Sequence, residues 1–339
     1  MKNQLSWGII GHGNASKNFL NSFDNNLSSK ISAVASKSNY NYLKEKNFLV
    51  FKEYEDILKS KDIDIIYISI VNSLHKKLID LCIDNDKHIL VEKPSSLKYS
   101  ELNSSIEKIK SKNIFFKESI LYLSHPIKNK ILNIIQNNDI GNITNINSSY
   151  GFNFVKKKFF FFKNKKKYNL NIFKKNLGGG AIYNFAHYPL SAINTFSMKK
   201  KPLKVHKMKA KSLIGFTDVD EFSSLEIIFN DGLQTNIQVA LNKNLKSFIE
   251  IKGEKGSVFV DNPWVPQNSF KIKLKNNKGE KIYDFNANRN MWSYEIESIE
   301  KNIFENSFQS NLLGAKWEDS LWYLKLIDQW KSESINENI

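Results

Sequence analysis

The sequence predicts an α/β chain in two parts, an N-terminal parallel sheet wound with helices and a C-terminal α+β part built on a large, mainly antiparallel open sheet. Three observations predict it. From Leu5 to about Ser119, short apolar runs alternate with helical patterns, the sequence form of βαβ units. A glycine-rich turn directly follows the first of those runs. Beyond His125-Pro126, strand patterns succeed one another with little helix between them. The boundary is expected between residues 123 and 124, giving parts of residues 1–123 and 124–339.

The apolar runs expected to form the first sheet are Leu5–Ile10, Ile31–Ala35, Ile63–Ile70, His88–Val91 and Ile114–Lys117. Helical patterns intervene near Ser16–Ser22, Tyr40–Lys46, Tyr54–Lys59, Leu74–Asn85 and Tyr99–Ser111. Right-handed crossovers then place helices on both faces of the sheet. The second part opens with a helix expected at Ile127–Gln136. Strand patterns follow at Ile143–Phe154, Leu203–Leu213, Ser223–Phe229, Leu233–Ala240, Ser247–Lys252, Ser257–Val260, Phe270–Leu274 and Lys281–Phe285. Turn signals such as Asn230-Asp231-Gly232 and Asn276-Asn277-Lys278-Gly279 separate them. One helix is expected over about Gly180–Phe196, and two more near the C-terminus.

The 339 residues, 41% hydrophobic and 25% charged, belong to an ordinary globular composition rather than a disordered or fibrous one. Fifty basic residues against 34 acidic ones give a formal charge of +16, which raises the question of a polyanionic partner. Arg289 is the only arginine among them. Readers of phosphates and base edges favour arginine for its bidentate fork, so a lysine surplus makes a poor recognition surface. The same chain is rich in Asn, Ile and Phe, whose codons are AT-rich, and no nucleic-acid partner is expected. One dense run stands out, Lys156–Lys167, where lysines flank Phe159-Phe160-Phe161-Phe162. It reads either as a grip on an anion or as a solvated loop.

The single cysteine, Cys82, excludes an internal disulfide and suits a reducing cytoplasm. The N-terminus lacks the basic, apolar and cleavage-site regions of a signal peptide. The longest strongly apolar stretch, Ile63 to Val71, is too short to span a bilayer, so neither export nor membrane insertion is expected. Six histidines and one cysteine without tight ligand spacing imply no metal site.

Gly11-His12-Gly13-Asn14-Ala15-Ser16 places glycines at the first two positions of G-x-G-x-x-G/A, straight after a strand and before a helix. Gly11 permits the tight turn and Gly13 lets the backbone approach a pyrophosphate on the following helix N-terminus. Ser16 takes the third small position. This context predicts a Rossmann dinucleotide site. The second strand ends in Ser36-Lys37-Ser38 with no acid for the ribose hydroxyls of NAD. A hydroxyl and a cation suit a 2′-phosphate, so NADP is preferred over NAD, unless Lys37 is one more solvated lysine.

Val91-Glu92-Lys93-Pro94, ending the fourth long strand, and Asn72-Ser73-Leu74-His75 resemble the Glu-Lys-Pro and Asn-x-x-His segments of the Gfo/Idh/MocA oxidoreductases, with Val71 where proline is usual. Lys117-Glu118-Ser119 through His125-Pro126, the run Gly178-Gly179-Gly180 to Tyr188, and Trp317-Glu318-Asp319-Ser320-Leu321 are similar to later segments of the same family. Asp328-Gln329-Trp330 looks like the end of its C-terminal signature. The likeness spans nearly the whole chain. Many members carry Asp and, four residues later, His where this chain has Asn184 and Tyr188. The tyrosine resembles the subgroup of glucose-fructose oxidoreductase and the dimeric dihydrodiol dehydrogenases.

The resemblance implies an NAD(P)-dependent dehydrogenase or reductase acting on a hydroxyl or carbonyl carbon of a sugar, cyclic polyol or dihydrodiol. The rival is a non-catalytic nicotinamide-binding regulator on the same fold. In the first reading Lys93 polarises the reacting oxygen, and Tyr188 exchanges its proton unless it is only a packed aromatic. Asn184, His187 and Glu118 are expected at the substrate. Gly11, His12, Gly13, Asn14, Ser16, Ser36, Lys37, Asn72, His75, Glu92 and Lys93 are expected at the dinucleotide. His187 also suits a core histidine, Asn184 a helix cap, and Glu92 an orienting role for Lys93. The family's habit of pairing the second-domain sheet with a counterpart implies a homodimer or higher homo-oligomer.

Overall fold

The computed structural model describes residues 4–338 apart from Asn25, residues 39–40, Tyr42 and residues 44–48, 156–167 and 200–201. The helix expected at Tyr40–Lys46 lies almost wholly outside the described residues, and the Lys156–Lys167 run lies outside them entirely.

Contacts divide the chain into two units. Residues Met1–Ser124 and Arg289–Leu321 form the first, and His125–Asn288 with Trp322–Ile339 the second. The sequence reading draws one boundary, at 123/124. The contacts put the crossing between Ser124 and His125 instead, and return the chain to the first unit for a stretch that contains one more helix.

The first unit holds six strands, β1 (Leu5–Ile10), β2 (Ser29–Ala35), β3 (Leu49–Phe51), β4 (Ile65–Ile68), β5 (His88–Glu92) and β6 (Phe116–Ser119). They run parallel in the order β3-β2-β1-β4-β5-β6, the doubly wound arrangement whose ligands bind where the order reverses, beyond the ends of β1 and β4. Their helices are α1 (Asn14–Leu20), α2 (Tyr54–Leu58), α3 (His75–Asp84) and α4 (Tyr99–Lys112). β6 starts later than expected because α4 runs on to Lys112. Asn113 then turns left-handed, at φ 53°, and the Ile114 N–H closes the helix on the Ile109 carbonyl.

β1 and β4 are buried along their whole length, as a sheet covered on both faces requires. On one face Trp7, Phe19 and Tyr67 pack with Trp292, Ile296 and Ile299. Those last three belong to the helix of the returning stretch, Met291–Phe304. Its Glu295 accepts from Lys117 Nζ at 2.9 Å and Ser119 Oγ at 2.7 Å in a fully buried pair. Arg289, just ahead of it, forks onto both carboxylate oxygens of Asp24, at 3.0 and 3.3 Å. The one arginine is therefore a structural tie.

The second unit begins with α5 (Pro126–Gln136), which has proline at its first turn and the His125 side chain accepting from the Ile127 N–H. Then come β7 (Ile143–Gly151), α6 (Ala181–Phe185), α7 (His187–Phe196) and the strands β8 (Val205–Ile214), β9 (Asp220–Phe229) and β10 (Gln234–Ala240). β11 (Phe248–Gly253), β12 (Gly256–Asp261), β13 (Ser269–Asn276) and β14 (Gly279–Asn286) follow; after α8 (Met291–Phe304), which belongs to the first unit, come α9 (Trp317–Glu333), most of which lies in the second, and β15 (Ser334–Asn338). The nine-stranded sheet is ordered β14-β13-β12-β11-β7-β10-β9-β8-β15. β7 with β10 and β8 with β15 are parallel, and the other pairs antiparallel. β10 and β13 alternate exposed and buried residues, which leaves one face open, with Asn236, Gln238, Lys271 and Lys273 on it.

The helix expected over Gly180–Phe196 breaks at Ala186 into α6 and α7. Pro189 is the cause, because it has no N–H for the Phe185 carbonyl four residues earlier and its ring crowds that carbonyl. Hydrogen bonding resumes at once, from the Leu190 N–H to the Ala186 carbonyl.

Candidate active site

In the first unit the glycine turn is fixed by lack of space. Gly11 has φ +106°, and a Cβ there would lie 2.1 Å from the Ser69 carbonyl oxygen at the end of β4. Its N–H donates to the Ala35 carbonyl at the end of β2, so the turn is wedged between two strand ends. At Gly13, which begins α1, a Cβ would meet nothing within 4 Å. No side chain caps the amides of that first turn, and no acid lies in it. An open approach to unpaired amides at a helix N-terminus is what a pyrophosphate needs, so these residues fit a dinucleotide. His12 and Asn14 border the turn, and burial together with the Lys17 charge lowers the His12 pKa. Ser16 is wholly buried, so its side chain serves close packing of α1 on the sheet.

At the end of β2, Ser36 is buried and its N–H donates to the Phe51 carbonyl of β3. Lys37 reaches Glu53 at 3.0 Å, and its ammonium lies 5.1 Å from the centre of the Tyr54 ring. Hydrogen bonding to Glu53 raises the Lys37 pKa. The sequence reading finds no acid here because it inspects β2 alone. Glu53 follows β3, a three-residue strand too short to leave a pattern.

Beyond β5, the Lys93-Pro94 peptide is cis. Two carboxyl groups, Glu92 and Glu118, act on the charge of Lys93 in the first unit's interior. Tyr67 of β4 donates to Glu92 at 2.7 Å, and Val91 pairs with Glu118 on the neighbouring strand. Glu118 accepts from the Ser95 N–H at 2.7 Å, so it grips the chain one residue past Pro94. Burial raises the Glu92 pKa and pushes Glu118 up to about 7. Burial lowers the Lys93 pKa, against the pull of Glu92 and Glu118. Of these groups, Glu118 is the one brought to where it can exchange a proton near neutrality.

His75 is wholly buried at the start of α3, with Nδ1 2.7 Å from the Pro94 carbonyl and Nε2 3.2 Å from the Ile70 carbonyl. Burial lowers its pKa to about 4, so it is neutral and braces the turn after Lys93. Asn72, expected beside it, begins the short 3-10 turn Asn72–Leu74 that leads into α3.

In the second unit the glycine run seats a helix. Gly180 has φ +115°, and a Cβ there would lie 2.2 Å from Asp220 Oδ1. Asp220 Oδ2 accepts from the Ile182 N–H at 2.7 Å, which caps α6 from β9, and Lys331 stands 3.7 Å away. Sequence reasoning missed Asp220 because the pattern of β9 begins three residues later. The break at Ala186 removes Asn184 and Tyr188 from one continuous helical face. The Asn184 side chain instead donates to the Gly180 carbonyl at 2.7 Å, and His187 is buried edge-on to Tyr323.

Tyr188 is 8% exposed and lies in a set of rings. Tyr150 is 5.3 Å away edge-on, Trp264 is 6.2 Å away, and Phe185 packs on Tyr150 at 4.8 Å. Trp264 is itself fixed, with Nε1 donating to the Ser149 carbonyl. These ring contacts restrict the tyrosine's direction. Among the described residues, no group of three or more His, Cys, Asp or Glu is placed to hold a metal ion, and no helix is long and apolar enough to cross a membrane.

Residues 5–118 match a family model described as an oxidoreductase family with an NAD-binding Rossmann fold, and residues 129–259 match the GFO/IDH/MocA C-terminal domain. The chain belongs to the Gfo/Idh/MocA oxidoreductase family. Among curated members, it is 23% identical over 337 residues to trans-1,2-dihydrobenzene-1,2-diol dehydrogenase of Xenopus tropicalis, covering 95% of this chain and 96% of that one. A dTDP-3,4-didehydro-2,6-dideoxy-alpha-D-glucose 3-reductase of Saccharopolyspora spinosa is 23% identical over 214 residues, or 63% of this chain and 60% of that one. The fold matches that of a 3-ketoreductase from Actinomadura kijaniata in complex with NADP and TDP-benzene, at TM-score 0.86 and 16% identity, over 99% of this chain and 100% of that one. It also matches a levoglucosan dehydrogenase in complex with NADH, at TM-score 0.79 over 98% of both chains. The Gfo/Idh/MocA fold thus accommodates either dinucleotide.

Proposed function

We propose that this member is an NADP-dependent oxidoreductase that moves hydride between the nicotinamide and a hydroxyl or carbonyl carbon of a sugar, cyclic polyol or dihydrodiol. The observation that carries the reading is Lys93, held between Glu92 and Glu118 at the carboxyl end of β5 in a unit whose glycine turn leaves room for a dinucleotide. The bound dinucleotide supplies the hydride chemistry. Lys93 hydrogen-bonds the reacting oxygen and stabilises alkoxide charge as it develops. Tyr188, oriented by its ring neighbours, takes the hydroxyl proton in oxidation and returns it in reduction. Glu92 and Glu118 keep the ammonium charged, and His75 and Glu118 hold the two polar groups of the Pro94–Ser95 peptide just after Lys93. Ser36 and Lys37 take the 2′-phosphate. Cys82, a buried free thiol, suits action in the cytoplasm, and the open sheet face is the surface through which two copies would associate.

Screening aldoses, cyclic polyols and dihydrodiols for NADPH formation tests the reading. Tyr188→Phe and Lys93→Met should each lower turnover by about 10³-fold, within the range of general acid–base catalysis, while dinucleotide affinity changes little. Turnover unchanged in either variant would remove that residue from the mechanism. Dinucleotide binding with no turnover on any such substrate would favour a regulator.

A further inference from the structure

Lys37 and Glu53 do not meet by a chance crossing of surface side chains. β2 and β3 pair in parallel with Ala35 opposite Phe51, and the Ser36 N–H extends the ladder to the Phe51 carbonyl. Lys37 lies two residues beyond Ala35, and Glu53 lies two beyond Phe51. Register therefore delivers an acid and a cation side by side, at 3.0 Å, on the edge where the second strand's exit reads a dinucleotide's adenosine ribose. The side chains are 54% and 49% exposed, so both are open to a ligand. Tyr54, the next residue, holds the Lys37 ammonium 5.1 Å from its ring centre.

We propose that Glu53 is a specificity-determining residue for the dinucleotide, holding Lys37 in a pair that a 2′-phosphate must break. The inference rests on the reading of the chain as a dinucleotide-dependent oxidoreductase. The two members of the pair favour opposite ligands. Lys37 offers a cation to a 2′-phosphate, but that phosphate has to displace the Glu53 carboxylate and then lie beside it. Glu53 offers an acceptor to the two free ribose hydroxyls of NAD, the task an acid on the second strand performs in other dinucleotide folds. Here the acid comes from the neighbouring strand. Preference for NADP is set by Lys37 and restrained by Glu53, by repulsion as much as by attraction.

Titration of the wild-type chain and of Glu53→Gln with NADPH and with NADH, followed by nicotinamide fluorescence at low salt and without substrate, tests this. Glu53→Gln should raise the ratio of NADPH to NADH affinity by about fivefold, the scale of one exposed ionic contact. Lys37→Gln should lower the ratio, and in that background Glu53→Gln should still raise it, but by less than in the wild-type chain, because the direct repulsion remains while the pair is gone. A ratio that Glu53→Gln leaves unchanged, or a shift that persists in full without Lys37, would overturn the inference while leaving the oxidoreductase reading intact. A wild-type chain that binds neither dinucleotide would bring down both.

Discussion

The two candidate reacting groups are held by opposite means. Lys93 is fixed by charge and backbone: a strand end, two carboxylates on adjacent strands, and His75 on the Pro94 carbonyl. Tyr188 is fixed by rings, with Tyr150 and Trp264 around it and a proline-broken helix beneath it. A cation that must stabilise an alkoxide gains from a low-dielectric polar shell that tunes its proton affinity. A tyrosine that must present one oxygen in one direction gains from stiff packing.

The largest expected effect tests whether these two differently built halves act on one oxygen. If they do, the double variant Lys93→Met/Tyr188→Phe should be about as slow as the slower single variant, because either loss already disables the shared step. Rate losses that multiply would show two independent roles. Next in size is the support of the charged half. Removing Glu295 strands the Lys117 ammonium in the interior, and Glu295→Ala should cost about 3–5 kcal/mol in chemical denaturation. Adding Lys117→Met should recover most of that. A loss below about 1 kcal/mol would mean the buried pair contributes little to holding α8 on β6.

Glu118 gives the charged half a pH signature near neutrality. Its pKa is about 7 in the folded chain against an ordinary value of 4.5, so the folded state binds the proton more tightly. Stability contributed by this group is therefore full below pH 4.5 and is lost as pH rises toward 7, by about 3 kcal/mol over the whole window. His75 acts in the opposite sense. With its pKa lowered from 6.5 to about 4, it adds stability as pH rises through that interval. Glu118→Gln keeps an acceptor for the Ser95 N–H and should remove only the falling component. Denaturation curves at pH 5 and pH 7.5 would then show a smaller loss, or a net gain, relative to wild type. Identical pH slopes would deny Glu118 its raised pKa.

The same contrast explains what could be read from the chain. Strands such as Leu5–Ile10, the glycine turn and the Lys93 strand end are local, carried by runs of a few residues whose pattern survives without tertiary knowledge. The supports are not local. Glu295 meets Lys117 from 178 residues away, and the apolar stripe of α8 would suit either unit. Glu53 depends on the register of β3, a strand of three residues. The single helix expected over 180–196 failed because its apolar pattern runs on through Pro189, whose missing N–H and crowding ring break the ladder at Ala186.

The smallest expected effect concerns the seat of the ring-packed half. Gly180 lies where a side chain would collide with Asp220 Oδ1, and its backbone is at φ +115°. Gly180→Ala therefore faces two separate penalties, a steric clash that displaces the cap of α6 and a dihedral that L residues avoid, together about 1–3 kcal/mol. Asp220→Ala alone loses the cap and leaves the Lys331 ammonium without its nearby carboxylate. Combined with Gly180→Ala it also relieves the clash, so the double variant should be more stable than the sum of the single losses predicts, while the dihedral penalty persists. Strict additivity would mean that the carboxylate and the glycine do not share that space. A selective fall in turnover with dinucleotide affinity retained would show that this seat sets the direction of Tyr188, as the proposed function requires of the second unit.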